Sequence, residues 1–164
     1  MRRTVGIAAG IAAAATIAFV ATSCGSDSTA PGPRQYIANP SPALEQPAKT
    51  TTGTGVVTFV DNGTEIDWSM TLTNMTNVTA SHIHLGSTAV GSGPVIINLF
   101  LPNRPPETGT LNGFVMQGSI TNANNSSVSL DSLRVLFNNG NAYVNVHTVV
   151  NQGGEIRDQI HPVQ

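Results

Sequence analysis

Three of the four histidines lie in segments whose residue spacing suits a metal site. His82 and His84 are one residue apart, so on a strand both side chains lie on the same face. His147 follows Val144 and Val146, and alternation places it on the face opposite those two apolar side chains. Neutral imidazole is a good ligand for copper and zinc, and it predominates above about pH 6 to 7. If the two strands are neighbours, the sequence predicts that the three imidazoles converge, away from the core, on a site for copper or zinc.

The same three histidines also fit an arrangement that holds no ion, in which they are polar residues on a solvated face. The sequence contains no Gly-x-Ser-x-Gly or His-Glu-x-x-His motif and no suggestive pair of carboxylates, so no catalytic residue is predicted. Two hypotheses therefore stand ahead of a third, hydrolysis, in this order. The first is a non-catalytic binding or structural module, and the second is a copper- or zinc-binding protein.

Short apolar segments separated by turn residues must position these histidines. In residues 66–72 apolar and polar side chains alternate, which predicts a strand with Ile66 and Trp68 directed inward. Residues 74–79 are polar and indicate a loop. The predicted strands are residues 56–60, 66–72, 80–85, 95–101, 111–120, 142–148 and 155–160. Strands at this spacing predict an antiparallel β-sandwich or barrel.

One segment has the spacing of a helix rather than of a strand. Leu130, Leu133 and Phe137 recur at helical intervals. Ser129 suits the N-cap position, and Asn139 with the glycine after it suits the helix end. The sequence therefore predicts a mainly β domain with one short helix.

The N-terminus has the anatomy of an export signal. Two arginines precede an uncharged apolar run, residues 5–20, and small residues then lead to Cys24. This arrangement resembles a bacterial lipoprotein signal, in which that cysteine receives the lipid. The alternative is an ordinary signal cut near Ala21, which leaves Cys24 as a free thiol. We expect a signal peptide over residues 1–23 and a lipid on Cys24. The exported protein would then be held at the cell membrane or outer membrane, facing the periplasm or the exterior.

Composition separates a tether from a folded domain. Residues 24–52 are rich in small and polar residues and in proline, which predicts a flexible tether, and residues 53–164 are enough for one domain. The chain has 7 Lys and Arg against 9 Asp and Glu and no basic stripe, so nucleic acid is not an expected partner. Cys24 is the only cysteine, so the domain has no internal disulfide. The expected partners are the membrane, through the lipid, and an unknown protein or envelope ligand.

Four blocks in the domain carry a family resemblance. They are SHIHLG at residues 81–86, GPV at 93–95, GNAYVNVHT at 140–148 and GEIR at 154–157. In this order they resemble the chordin-type domain, CHRD, although Asp158 stands where that family usually has glycine. The resemblance implies an immunoglobulin-like or superoxide-dismutase-like β-barrel with no settled biochemical activity. Chordin is extracellular and binds growth factors, a partner that does not carry over to a bacterial envelope protein.

The histidines carry a fainter resemblance to copper-zinc superoxide dismutase. His82, His84 and His147 are similar to three of its copper ligands. The stretch after His84 has no histidine to bridge copper and zinc, and the fourth histidine, His161, lies near the C-terminus. The resemblance therefore implies weak or absent dismutase activity.

Arg157 bears a faint likeness to the guiding arginine of the dismutase, but its spacing differs. We interpret it instead as a surface residue that pairs with a neighbouring acid, Glu155 or Asp158, an interaction worth little.

Overall fold

The structure is a computed structural model that describes residues 33–89, 91–100, 107–125 and 127–164. The predicted signal peptide over residues 1–23 and the predicted lipidation site Cys24 lie outside these residues. Within the described part of the chain, no helix combines the length and the apolar character needed to cross a membrane.

Eight strands and one α-helix form the described part of the domain. They are β1 (Arg34–Ala38), β2 (Thr54–Asp61), β3 (Ile66–Leu85), β4 (Val95–Phe100), β5 (Glu107–Ile120), α1 (Leu130–Asn138), β6 (Ala142–Thr148), β7 (Ile156–Gln159) and β8 (His161–Pro162). The strands pair in the order β7-β6-β3-β2-β1-β8, and β4 and β5 each pair with β3 outside this path. Because β7 and β8 are consecutive in the chain, the antiparallel sheet nearly closes into a barrel. The predicted mainly β sandwich or barrel with one short helix is confirmed.

β3 is the longest strand, and its two halves have different partners. The first half pairs with β2 and β5, and the second half pairs with β6 and β4. The prediction of a loop at residues 74–79 is wrong, because the strand continues through them. Asn74 and Asn77 have φ of 53° and 52°, and the register against β5 shifts beside them. Such bulges insert extra residues into a paired strand, so polar residues here mark irregular pairing rather than a loop.

Replacing Asn77 by alanine should lower the free energy of unfolding by about 1–2 kcal/mol, because a Cβ-bearing residue without a short polar side chain is strained at left-handed φ. The substitution also removes the acceptor Oδ1, which lies 3.0 Å from the backbone N–H of Gly109. Asn77→Gly loses the same hydrogen bond without the strain, so urea unfolding should show a smaller loss for it. Equal losses in the two variants would contradict a role for this φ.

The first strand corrects the predicted domain boundary. The sequence predicts a flexible tether over residues 24–52, but Arg34–Ala38 pair with β2 along their whole length. Tyr36 is 1% exposed and packs edge-on against a phenylalanine of α1. A short 3-10 helix, Pro42–Leu44, follows, and then the buried residue Glu45. In a strand only every second side chain points inward, so a five-residue strand can join a core with few apolar residues. The low apolar content of the segment therefore did not indicate that part of it is folded.

The core lies where the sheet packs against α1. Trp68 is 8% exposed and Ile66 is fully buried, so their predicted inward direction is confirmed. α1 begins at the predicted cap, where Ser129 Oγ accepts a hydrogen bond from the backbone N–H of Ser132 at 3.2 Å. Phe137 on this helix is fully buried, which confirms the apolar face of the predicted helix.

Candidate metal centre

The second half of β3 and the strand β6 bring the three histidines together. In the antiparallel pairing His84 lies opposite Tyr143, and His147 lies opposite Ala80, two residues before His82. Directly paired residues lie on the same face of a sheet, so the three imidazoles share one face. Ile83, Val144 and Val146 take the other face and join the hydrophobic core. The predicted convergence of the histidines is therefore present.

The ring nitrogens lie near enough to one another to be candidate ligands of one ion. His82 Nδ1 lies 3.1 Å from His147 Nε2. One ligand atom from each of His82, His84 and His147 lies within 4.8 Å of the other two. Two nitrogens that both bind one ion at about 2.0–2.1 Å are at most about 4.2 Å apart, and roughly 3.4 Å apart in a tetrahedral site, so the ligand atoms must approach one another for an ion to bind.

Backbone carbonyls fix the protonation pattern of two of the rings. His84 Nδ1 lies 2.8 Å from the carbonyl oxygen of Gly93, and His147 Nδ1 lies 2.9 Å from that of Gln152. A carbonyl oxygen only accepts, so both Nδ1 atoms carry the proton and both Nε2 atoms are unprotonated in the neutral rings. His84 Nε2 is enclosed and has no hydrogen-bond partner among the described residues. In metal sites the same kind of outer hydrogen bond orients ligand histidines.

Burial lowers the pKa of all three histidines. For His82 burial is the largest cause, positive charge on His147 and His84 adds to it, and together they lower the pKa to about 4. Burial also lowers the pKa of His84 and of His147, although their hydrogen bonds to Gly93 and Gln152 oppose the shift. The imidazoles therefore stay neutral at lower pH than free histidine. An ion can bind below the range of about pH 6 to 7 expected for unperturbed rings.

The face that carries the histidines is not a solvated surface. His84 is 7% exposed, and Tyr143 is fully buried. The two rings stack, with centroids 5.0 Å apart and planes at 9°. The prediction that the histidines point away from the core is right, but a second, polar layer covers them. Strand alternation places Tyr143 on the same face as His147. This was the signal from which the stack of Tyr143 on His84 could have been predicted.

Arg157 lies at the centre of this polar layer. It is fully buried, and its Nε and Nη2 lie 2.8 and 2.7 Å from Glu45 Oε2. Its Nη1 donates to the carbonyl oxygen of Gly91 at 2.9 Å. The guanidinium carbon lies 5.1 Å from the centroid of the Tyr143 ring. Guanidinium, phenol and the His84 imidazole thus form one buried stack that holds a candidate ligand in place.

The interpretation of Arg157 as a surface residue is wrong. β7 pairs with β6 so that Arg157 lies opposite Asn145, on the covered face. Glu155 instead accepts a hydrogen bond from Thr148 Oγ at 2.6 Å, and Asp158 accepts one from a backbone N–H that follows β1. The two acids that the sequence offered as partners therefore support turns and strand ends.

Gly154 makes room for this layer. Its φ is +127°, and a Cβ at this position would lie 2.5 Å from Glu45 Oε1 and 2.6 Å from Asn145 Oδ1. Both oxygens are enclosed and have no hydrogen-bond partner among the described residues. The glycine that begins the GEIR block is thus required both by its backbone conformation and by the close approach of Glu45.

A family model for the CHRD domain matches residues 36–160. The chain belongs to the CHRD domain family. The match begins within β1 and ends after β7, so it contains the three histidines and the layer that covers them. No curated protein and no solved structure matches the chain.

The fourth histidine of the CHRD protein stands apart from the centre. His161 is exposed on β8 and does not join the histidine cluster. Cys24 lies outside the described residues. Within those residues, no second group of three metal-ligating side chains is present.

Proposed function

We propose that this CHRD-domain protein is an exported cell-envelope protein whose centre of His82, His84 and His147 binds copper or zinc. The enclosed lone pair of His84 Nε2 is the observation that supports this most strongly. A buried polar atom without a partner costs about 1–3 kcal/mol. A bond from that lone pair to an ion removes the cost, and two further ring nitrogens stand close enough to complete the site.

Copper(II) is the ion that we expect to bind more tightly. The three ligands are neutral nitrogens, and the affinity of such sites for divalent ions rises to copper(II) and falls again at zinc. Zinc is also compatible, with a water or an external group as the fourth ligand of a tetrahedron. The three nitrogens fit either ion, and the affinity of the centre for copper(II) relative to zinc(II) determines which one binds.

Titration with copper(II) and zinc(II) tests this function. Protein carrying Cys24→Ser is used, because a thiol is itself a strong copper ligand. We expect one ion per chain. His84→Ala should weaken binding by more than about tenfold, since even outer-shell changes at metal sites cost about 10–100-fold. His161→Ala is the matched control and should bind like its parent.

Equal, weak binding of copper(II) and zinc(II) by the parent and by His84→Ala would contradict metal binding at this centre. The CHRD domain would then remain a non-catalytic module for a protein or envelope ligand, the other hypothesis that the sequence leaves open.

The proposed membrane partner is reached through a lipid on Cys24. The apolar run and the small residues before the only cysteine support this. Mass spectrometry of the native protein should find acyl mass on Cys24, and Cys24→Ala should move the protein to the soluble fraction. Ser28→Ala, four residues further on, should leave the protein with the membrane. An unmodified mature terminus at another residue would contradict the anchor.

A further inference from the structure

His84 and His147 each hydrogen-bond a backbone carbonyl, whereas His82 does not. His84 is fixed by its hydrogen bond to the Gly93 carbonyl and by the stack on Tyr143. His147 is fixed by its hydrogen bond to the Gln152 carbonyl. His82 has only one hydrogen bond within the described residues, and that bond joins its Nδ1 to His147 Nε2 inside the cluster.

The His82 ring is in contact with solvent. His82 is only partly buried, and its Nε2 is not among the enclosed polar atoms, whereas Nε2 of His84 is. No described backbone or side-chain group forms a hydrogen bond with His82 Nε2. Rotation of this ring away from the cluster therefore breaks one hydrogen bond, whereas rotation of His84 breaks a buried hydrogen bond and a stack.

The position of the ring proton with and without a bound ion also favours His82 as the ligand that moves. In the metal-free centre His147 Nε2 is an acceptor, so His82 Nδ1 carries the proton between them. When Nδ1 binds an ion, that proton leaves and Nε2 takes one from solvent, so the ring stays neutral. The same change in reverse releases the ring, and it requires no proton transfer through the buried layer.

We propose that the centre exchanges its ion through His82, with His84 and His147 as the fixed pair, an inference that rests on the metal-binding function proposed above. In the exchange step the bond between the ion and His82 Nδ1 breaks. A bond from a nitrogen donor in solution to the ion forms, and the charge of the ion does not change. Imidazole reproduces the donor that leaves and is therefore the probe for the exposed side of the cluster.

Rescue of copper(II) binding by free imidazole tests the exchange route. His82→Gly should lose affinity by about tenfold or more, a loss of about 1.4 kcal/mol per factor of ten. Millimolar imidazole should restore most of that affinity and the visible copper spectrum, because the vacated position is open to solvent. His84→Gly should not be rescued, because its position lies under Tyr143. His161→Gly is the control and should show neither loss nor rescue.

A measurement on the wild-type protein covers the case in which His84→Gly fails to fold. NMR of the metal-free protein should show protected Nδ1–H protons for His84 and His147, and a rapidly exchanging ring proton for His82. Equal protection of all three rings, or equal rescue of both glycine variants, would overturn the exchange route while leaving metal binding intact. Failure of the wild-type protein to bind copper(II) at all would instead overturn the proposed function.

Discussion

Replacing Arg157 by methionine should lower the free energy of unfolding by about 3–5 kcal/mol, because the change leaves a buried carboxylate without its partner. Arg157 and Glu45 are 0% and 1% exposed, and two guanidinium nitrogens lie within 2.8 Å of one Glu45 oxygen. The bond from Arg157 Nη1 to the Gly91 carbonyl is lost as well. Urea unfolding of the metal-free protein measures the effect.

The double variant Arg157→Met with Glu45→Leu separates the ion pair from simple packing. Exchange of a whole buried pair for apolar residues of similar volume is often neutral or stabilising, so most of the lost stability should return. Arg134→Met offers a comparison at a more exposed pair, since Arg134 is 18% exposed where it contacts Asp61. Arg134→Met should lower the free energy of unfolding by less than Arg157→Met does. A change of less than about 1 kcal/mol for Arg157→Met, the scale of an exposed pair, would contradict the buried role.

The same substitution should also weaken copper binding without touching a ligand. Arg157 lies over the Tyr143 ring, and that ring stacks on His84, so removal of the guanidinium frees the layer that orients Nε2. Changes in groups that orient ligands typically cost about 10–100-fold in metal affinity.

Alternation along the chain was enough to predict the directions of the histidine side chains. The period of two in β3 and β6 placed His82, His84 and His147 on one face, and the spacing of apolar residues in α1 predicted a helix with the observed cap. These are local properties, because each depends on residues within a few positions of one another.

What covers a face is not a local property, and here the sequence predictions were wrong. Glu45 and Arg157 are 112 positions apart, and Glu45 lies in a segment whose composition resembles a tether. Nothing in either neighbourhood indicates that the two residues meet. The prediction for residues 74–79 was wrong for a similar reason, because their polarity indicated a loop and their pairing partners are distant in the sequence. The left-handed Asn74 and Asn77 instead carry one strand through its bulges.

Saturation with copper(II) should raise the free energy of unfolding by about 4 kcal/mol when the free ion is a thousandfold above its dissociation constant. An ion that binds only the folded chain stabilises it by mass action, and the unfolded chain does not bring His82, His84 and His147 together. The gain should disappear when excess EDTA removes the ion, and it should be much smaller in His84→Ala. An equal gain in that variant would show that copper stabilises the protein from elsewhere.

The stability of the metal-free protein should fall as the pH drops from about 6.5 towards 4. The folded-state pKa of His82 is about 4, and those of His84 and His147 are also lowered from 6.5. Between the folded and unfolded pKa values the unfolded chain binds more protons, so the free energy of unfolding rises with pH through this window and is fully regained above it. Asp61, whose pKa is lowered from 3.8, contributes only at more acidic pH.

His82→Gln removes one of the three titrating rings and should flatten the profile between pH 4 and 6.5. Urea unfolding across that range, in EDTA, measures the slope, and an unchanged slope in His82→Gln would contradict the lowered pKa.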